Sequence, residues 1–195
     1  MKKFKTVVID PPYMLCTGGS KHLNPQAHYT VQTQEDIIKT VTKWIKKNPV
    51  AEEAHCYIWG INSFNSGRSR GILDTLEICE AIGFRPITLI TWVKPNGSPT
   101  PFGQRNTEMC LFGAKWRKGN HKLVMYKGNP KSRNNVVNSL STSIDVIHAD
   151  RREHSRKPES FYEYVESRSK GPYLEMYSRT KRKGWKGLGN EKNKF

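Results

Sequence analysis

The sequence predicts an α/β fold in which a mostly parallel sheet is flanked by helices. A run rich in β-branched residues over 5–9 is stopped by two prolines, as expected of a buried parallel strand followed by a rigid turn. A second apolar strand over 54–60, a helix over 73–82 ended by Gly83, and a third strand over 86–93 follow at the spacing of a βαβ unit. Strands joined in this way run parallel in one sheet.

The other elements are predicted from caps, prolines and patterning. Thr33, with Asp36 three residues later, is typical of a helix start, and an apolar stripe follows it as far as Ile45. Residues 94–106 contain three prolines and two glycines and are predicted to form a loop. We expect strands over 107–114, 144–149 and 173–179, a helix over 159–167, and one domain over residues 1–195.

The charge balance points to a polyanionic partner. The chain has 33 Lys and Arg against 17 Asp and Glu, a formal net charge of +16. Such an excess is typical of nucleic-acid binding, although a merely soluble basic surface and a membrane-surface protein are the alternatives. We see no apolar run of transmembrane length and no signal peptide. We therefore expect nucleic acid as the partner and no membrane association.

The cysteines predict neither a metal site nor a disulfide framework. The four are scattered, at Cys16, Cys56, Cys79 and Cys110, without a C-x-x-C pair or a histidine at ligand spacing. A reduced, intracellular environment is the expectation for such a chain.

The turn Asp10-Pro11-Pro12-Tyr13 is the candidate catalytic element. Ligands of open α/β sheets bind beyond the carboxyl ends of strands, where this turn stands. Asp10 can accept one N–H of a planar amino group, a turn carbonyl can accept the other, and Tyr13 can stack on the attached ring. The turn therefore suits a conjugated amine as substrate. The alternative is a purely structural turn.

Two further regions are candidate substrate contacts. Residues 14–33 lack a clear period and are expected to fold over a substrate, with Tyr29 near their end. The basic segments 115–122 and 127–133 suit backbone phosphates, and Trp116 beside them suits a stacked base. An ordinary exposed basic loop is the alternative for these segments.

Glu175 is notable because it lies within a predicted buried strand. A buried carboxylate needs a partner, and a ribose diol and Arg179 are the two candidates. The glycine-rich stretch 184–191 can bring backbone close to a ligand.

Several motifs in one order resemble the MT-A70 family of S-adenosylmethionine-dependent adenine N-6 methyltransferases. They are Asp10-Pro-Pro-Tyr13, Tyr57-Ile-Trp-Gly60, Ile90-Thr-Trp-Val-Lys94, Glu108-Met-Cys-Leu-Phe-Gly113, His154-Ser-Arg-Lys-Pro158, Tyr173-Leu-Glu-Met-Tyr-Ser-Arg179 and Gly184-Trp-Lys-Gly-Leu-Gly-Asn-Glu191. The resemblance implies a Rossmann-like class I methyltransferase fold in the permuted (beta-class) motif order. It also implies S-adenosyl-L-methionine as the cofactor, no metal, and adenine in nucleic acid as the substrate.

The resemblance also implies roles for individual residues. The catalytic set comprises Asp10, Pro11, Pro12 and Tyr13. The cofactor-binding set comprises Asp10, His154, Ser155, Glu175, Arg179, Asn190 and Glu191. The substrate-binding set comprises Tyr29, Lys94, Arg105 and Trp116.

The chain departs from the RNA-modifying enzymes at several positions, and the departure at Tyr13 favours DNA over RNA. Tyr13 is typical of bacterial and phage DNA-type members where the RNA enzyme has Trp, and Thr107 replaces a lysine, with Arg105 nearby. We expect a cytoplasmic enzyme of a bacterial or phage-infected cell, and a homodimer is compatible with the sequence. Methylation of cytosine N-4 or a glutamine amide, a non-catalytic nucleic-acid-binding subunit, and a structural basic protein are the alternatives.

Overall fold

The computed structural model describes residues 3–14, 30–63, 69–100, 103–116, 145–153 and 156–191. Seven strands and three helices lie within these ranges. In chain order they are β1 (Phe4–Ile9), α1 (Gln34–Lys47), β2 (Val50–Gly60), α2 (Ile72–Ala81), β3 (Arg85–Thr100), β4 (Gly103–Lys115), β5 (Val146–His148), α3 (Glu159–Arg168), β6 (Tyr173–Met176) and β7 (Trp185–Leu188).

The described strands form one sheet in the order β5-β3-β4-β2-β1-β6-β7. Four neighbouring pairs are parallel, and the two antiparallel pairs both involve β4. The predicted α/β fold with a mostly parallel sheet flanked by helices is therefore confirmed. The β2–α2–β3 unit also forms, with β4 inserted between its two parallel strands.

The central strand β1 is buried on both faces, which explains its unbroken apolar sequence. Val7 and Ile9 pack on one side in a core with α1 and α2, whereas Val8 packs on the other side in a core with α3. The second core is rich in aromatic rings, including Trp59 of β2, whose ring centroid lies 4.7 Å from that of Phe161 of α3. In the strand order β1 lies between β2 and β6, so its carboxyl end is flanked by theirs.

The predicted loop over 94–106 was wrong. Strand β3 continues to Thr100 and pairs with β4 beyond an irregularity that follows Val93. Prolines remove ladder donors, but they are tolerated where their nitrogen faces away from the partner strand, as in a two-stranded extension. The two strands therefore form a long hairpin instead of an irregular connection.

The extent of the strand predicted over 173–179 also differs from the structure. Strand β6 stops at Met176 instead of Arg179, because Tyr177 adopts a left-handed conformation with φ of 61° that breaks the extended backbone. The glycine-rich segment contains β7, a short strand at one end of the described sheet. Among the described helices, none is long and apolar enough to cross a membrane.

The predicted cap of α1 is confirmed. The Thr33 hydroxyl accepts the Asp36 backbone N–H at 3.2 Å, and Glu35 and Asp36 occupy the first turn. A side-chain acceptor at this position satisfies one of the helix's unpaired N–H groups.

We expect Thr33→Ala to lower the free energy of unfolding by about 1 kcal/mol, because the Asp36 N–H loses its acceptor. Thr42→Ala, in the middle of α1, is the matched control and removes no cap. Urea denaturation monitored by circular dichroism measures both. Equal changes in the two variants would contradict the capping role.

Candidate functional site

Asp10 stands at the carboxyl end of β1, where the sequence placed it. Its backbone N–H donates to the Met176 carbonyl at 3.3 Å, which ties the turn to the end of β6. The Tyr13 N–H donates to the Pro11 carbonyl at 3.0 Å, and the Gln32 N–H donates to the Pro12 carbonyl at 2.9 Å. These bonds and the fixed φ of the prolines hold the turn in one conformation.

Tyr13 is anchored in the interior. Its residue surface is 7% exposed, and its hydroxyl donates to the Trp59 carbonyl at 3.2 Å, with the Thr75 hydroxyl 3.4 Å away. Burial raises the pKa of the phenol well above its ordinary value. Stacking of Tyr13 on a substrate ring stays a prediction, and only a small part of the ring is open for it.

A cluster of four charged side chains, hereafter the charge cluster, lies beside the turn. Lys157 Nζ lies 3.0 Å from Asp10 Oδ1 and 3.3 Å from Glu108 Oε2, and Lys94 Nζ lies 2.5 Å from Glu108 Oε1. The Lys157 side chain is 9% exposed, and its ammonium lies 4.9 Å from the centre of the Trp59 ring. Two cations and two anions therefore balance in a partly buried cluster, in which the two lysines are the most buried side chains.

The charge cluster shifts the pKa values of Glu108 and Lys157 in opposite directions. Burial raises the pKa of Glu108, but the charges of Lys157 and Lys94 outweigh it and lower the value to about 2. Burial disfavours the charged form of Lys157, but Asp10 and Glu108 together raise its pKa above the ordinary value. Both groups therefore stay ionised at neutral pH.

Glu175 is buried in β6, next to β1, with 4% of its surface exposed. Tyr162 of α3 donates to Oε1 at 2.6 Å, and Ser178 donates to Oε2 at 2.9 Å. Burial raises the pKa of Glu175 against these two hydrogen bonds. Neither Tyr162 nor Ser178 was among the partners predicted for this carboxylate.

The predicted pairing of Glu175 with Arg179 is replaced by another ion pair. Arg179 Nε lies 3.2 Å from Glu191 Oε2, which brings the end of the described chain back to the carboxyl end of β6. The two residues were both predicted to bind the cofactor, and the structure places them together.

These groups surround an open cleft beyond the carboxyl ends of β1 and β6. Asp10, Glu175 and Arg179, three of the predicted site residues, line it, together with Tyr177 and residues at the start of α3. The position is the usual one for a ligand of an α/β sheet.

The other predicted residues lie apart from the lining. Lys94 belongs to the charge cluster, whereas Arg105 is exposed on the β3–β4 hairpin. Trp116 is half-buried, with the Arg85 guanidinium carbon 5.0 Å from its ring centre. Asn190 is exposed beyond β7. Tyr29, His154 and Ser155 lie outside the described residues.

Sequence reasoning did not identify Lys157 or Glu108 as members of the site. Lys157 stands in a basic run, so nothing local separates it from its neighbours. A signal existed for Glu108, which is a carboxylate at the head of the otherwise apolar segment 108–113.

The chain matches a known family over nearly its whole length. The family model described as MT-A70 matches residues 4–191. An N(6)-adenosine-methyltransferase MT-A70-like protein of Arabidopsis thaliana is 33% identical over 120 residues, or 60% of this chain and 16% of the relative. A similarly named protein of Oryza sativa subsp. japonica is 34% identical over 120 residues, with the same shares. The chain thus spans less than a fifth of the length of these relatives.

We expect Glu108→Gln to reduce the acid sensitivity of folding. The folded-state pKa of about 2 lies below the ordinary 4.5, so the carboxylate stabilises the folded state above pH 4.5 and loses this effect as the pH falls toward 2. Wild type should therefore lose about 1–3 kcal/mol more than the variant across this window. Urea denaturation at pH values from 2 to 6 measures the difference.

Glu80→Gln, at an exposed carboxyl of α2, is the matched control and should leave the pH profile close to that of wild type. Parallel profiles for wild type and Glu108→Gln would contradict the assignment of Glu108 to a stabilising charge cluster.

Proposed function

Because this chain belongs to the MT-A70 family, we propose that it transfers a methyl group from S-adenosyl-L-methionine to the 6-amino group of adenine in nucleic acid. The observation that carries the proposal is the position of Asp10, which lines the same cleft as Glu175 at the edge of the sheet. The Asp10 carboxylate is then available for the substrate amine, and the Glu175 carboxylate is available for the cofactor.

The cleft has groups that fit the cofactor. The sulfonium of S-adenosyl-L-methionine carries the electrophilic methyl group that the reaction consumes. Glu175 can accept hydrogen bonds from ribose hydroxyls, since each carboxylate oxygen keeps acceptor capacity beyond its bonds to Tyr162 and Ser178. Arg179 and Glu191 lie together at the adjoining end of β6 and β7 and can complete the ribose contacts.

Asp10 and the proline turn would activate the substrate amine. Lys157 contacts Oδ1 of Asp10, and a carboxylate has about four acceptor positions, so Asp10 can accept an amino N–H while it keeps Lys157. The Pro11 and Pro12 carbonyls each accept one backbone N–H and retain a second lone pair for the other amino hydrogen. Two acceptors pull the amino hydrogens out of the ring plane and free the nitrogen lone pair.

Lys157 would orient Asp10 in this process. Positive charge develops on the attacking nitrogen, and a fixed carboxylate stabilises it without reorganising. Holding the nitrogen in line with the methyl group can supply roughly 7–11 kcal/mol of the barrier. The nitrogen loses its extra proton after the transfer.

We propose DNA as the substrate because Tyr13 gives the turn the sequence of DNA-type bacterial and phage members. RNA is the second candidate, since the relatives from Arabidopsis and rice are named as adenosine methyltransferases. A substrate base in duplex DNA must leave the stack before it reaches Asp10. The excess of basic residues, +16 overall, supports either polyanion.

The proposal is tested by transfer of labelled methyl groups to duplex DNA, single-stranded DNA and RNA of matched sequence. We expect label in adenine N-6 of DNA, and Asp10→Asn should lower turnover by about 100-fold or more while cofactor affinity changes little. Label in RNA alone would reject the DNA preference. The absence of label in any adenine-containing polymer would reject the proposed function.

Glu175→Gln should raise the dissociation constant of the cofactor by about tenfold, because an amide NH₂ replaces one acceptor oxygen. Calorimetric titration measures the constant, and the melting temperature of the free protein shows whether the fold persists. Glu53→Gln, at an exposed site on β2, is the matched control. An unchanged dissociation constant for Glu175→Gln would contradict the ribose assignment.

A further inference from the structure

A second charged surface lies at the end of the sheet opposite the cleft, where the parallel strands begin. Its cations are exposed or half-buried, and we call them the amino-end patch: Lys3, Lys5, Arg85, Lys115, Lys170 and Lys186. Arg85, the first residue of β3, pairs with Ala114, and Lys115 at the end of β4 pairs with Ala54 of β2. Because β4 runs antiparallel to both neighbours, its last residues lie beside the early parts of β2 and β3.

The β1 and β6 side of the amino-end patch is held together by hydrogen bonds. The Lys5 N–H donates to the Pro172 carbonyl at 3.0 Å, and the Thr6 hydroxyl donates to the Lys170 carbonyl at 2.8 Å. Lys5 and Lys170 are therefore neighbours where β1 and β6 begin. From β3 to β7 the patch crosses six strands, which at the usual strand spacing is a width of roughly 24 Å.

The positive charge of the amino-end patch is not neutralised by salt bridges. At the cleft, by contrast, Lys157 lies between Asp10 and Glu108. Within the described ranges, no salt bridge involves any of the six cations of the patch. Two exposed carboxylates, Glu52 and Glu53, lie in the early part of β2. The patch therefore keeps an excess of positive charge.

Three of the six cations lie against aromatic rings. The distances from the cationic centre to the ring centre are 5.0 Å for Arg85 and Trp116, 5.0 Å for Lys115 and Phe84, and 5.9 Å for Lys186 and Phe4. A ring attracts and restrains a cation but does not cancel its charge. These three charges are thus held in place and stay available to an external anion.

Lys3 and Lys115 repel each other in the free protein. Burial lowers the pKa of Lys115, and the nearby charge of Lys3 lowers it further, although Glu52 acts in the opposite direction. A phosphate bound between the two ammonium groups relieves this repulsion.

We propose that the amino-end patch binds the phosphate backbone of a nucleic-acid segment other than the one whose base enters the cleft. This inference rests on the proposed function, which makes nucleic acid the substrate, and adds a second contact surface to it. Its width of roughly 24 Å matches about seven phosphates of one DNA strand. The six residues of β1 separate the patch from Asp10 by about 20 Å, and the two surfaces face opposite ends of the sheet.

The aromatic rings of the patch favour nucleic acid over an anionic membrane. Proteins that bind membrane surfaces insert aromatic and aliphatic side chains among the lipid headgroups. Phe84 is buried, and Phe4 and Trp116 are half-buried and lie against their cations. The rings therefore support the cations and do not project from the surface.

The proposal is tested by binding of a G·C-only duplex of about 20 base pairs, which offers no adenine to the cleft. Fluorescence anisotropy of the full 195-residue chain compares wild type with Lys5→Gln/Lys170→Gln over a range of salt concentrations. We expect the dissociation constant to rise by about 5- to 20-fold at about 0.1 M salt, because two phosphate contacts are lost. The plot of log affinity against log salt concentration should become shallower by about 1 to 2.

Lys39→Gln/Lys43→Gln is the matched control, because it removes the same charge from exposed positions on α1. This variant should leave the dissociation constant and the salt dependence close to those of wild type. Neither pair of lysines lines the cleft, so both variants should keep the wild-type kcat on a short adenine-containing oligonucleotide. Melting temperatures show that both variants are folded.

Two outcomes would overturn the assignment of the amino-end patch and leave the proposed function intact. Equal weakening by the two double variants would attribute the effect to net charge alone. Unchanged duplex affinity in Lys5→Gln/Lys170→Gln, together with lost binding to phosphatidylserine vesicles, would assign the patch to a membrane surface. Conversely, patch-dependent duplex binding by a wild-type chain that methylates no adenine would support the patch and reject the proposed function alone.

Discussion

The placement of Lys157 between Asp10 and Glu108 is the interaction on which the arrangement of the site depends. A lysine that is 9% exposed is costly to keep charged unless anions surround it, and these two carboxylates lie 3.0 and 3.3 Å from its nitrogen. The contact joins the end of β1, the strand β4 and the segment before α3. Removing any one of the three groups would leave an uncompensated charge next to the Asp10–Tyr13 turn.

The antiparallel direction of β4 makes this contact possible. Glu108 pairs with Trp92 in the β3–β4 ladder and precedes Met109, which pairs with Gly60 at the carboxyl end of β2. If β4 ran parallel to its neighbours, a residue in this early part of the strand would lie near the amino ends of the parallel strands, far from Asp10. Because β4 runs in the opposite direction, it brings the Glu108 carboxylate to the carboxyl ends of the parallel strands.

Local signals predicted the elements whose formation depends on near neighbours. The Thr33 cap, the β1 strand and the position of Asp10 at its end follow from a few adjacent residues. The partners of Glu175 could not be predicted in this way, because Tyr162 comes from a helix and Ser178 from a turn after a left-handed residue. The role of Lys157 could not be predicted either, because its burial arises only when the end of β1, strand β4 and the segment before α3 come together.

The central position of β1 has a consequence for how the protein reaches its folded state. The Thr6 hydroxyl donates to the carbonyl of Lys170, a residue 164 positions later, and β1 pairs with β6 directly after that point. During synthesis β1 therefore emerges long before β6, one of the two strands that flank it in the sheet. Such distant pairing slows folding, so a nascent chain holds an incomplete sheet until β6 has been synthesised.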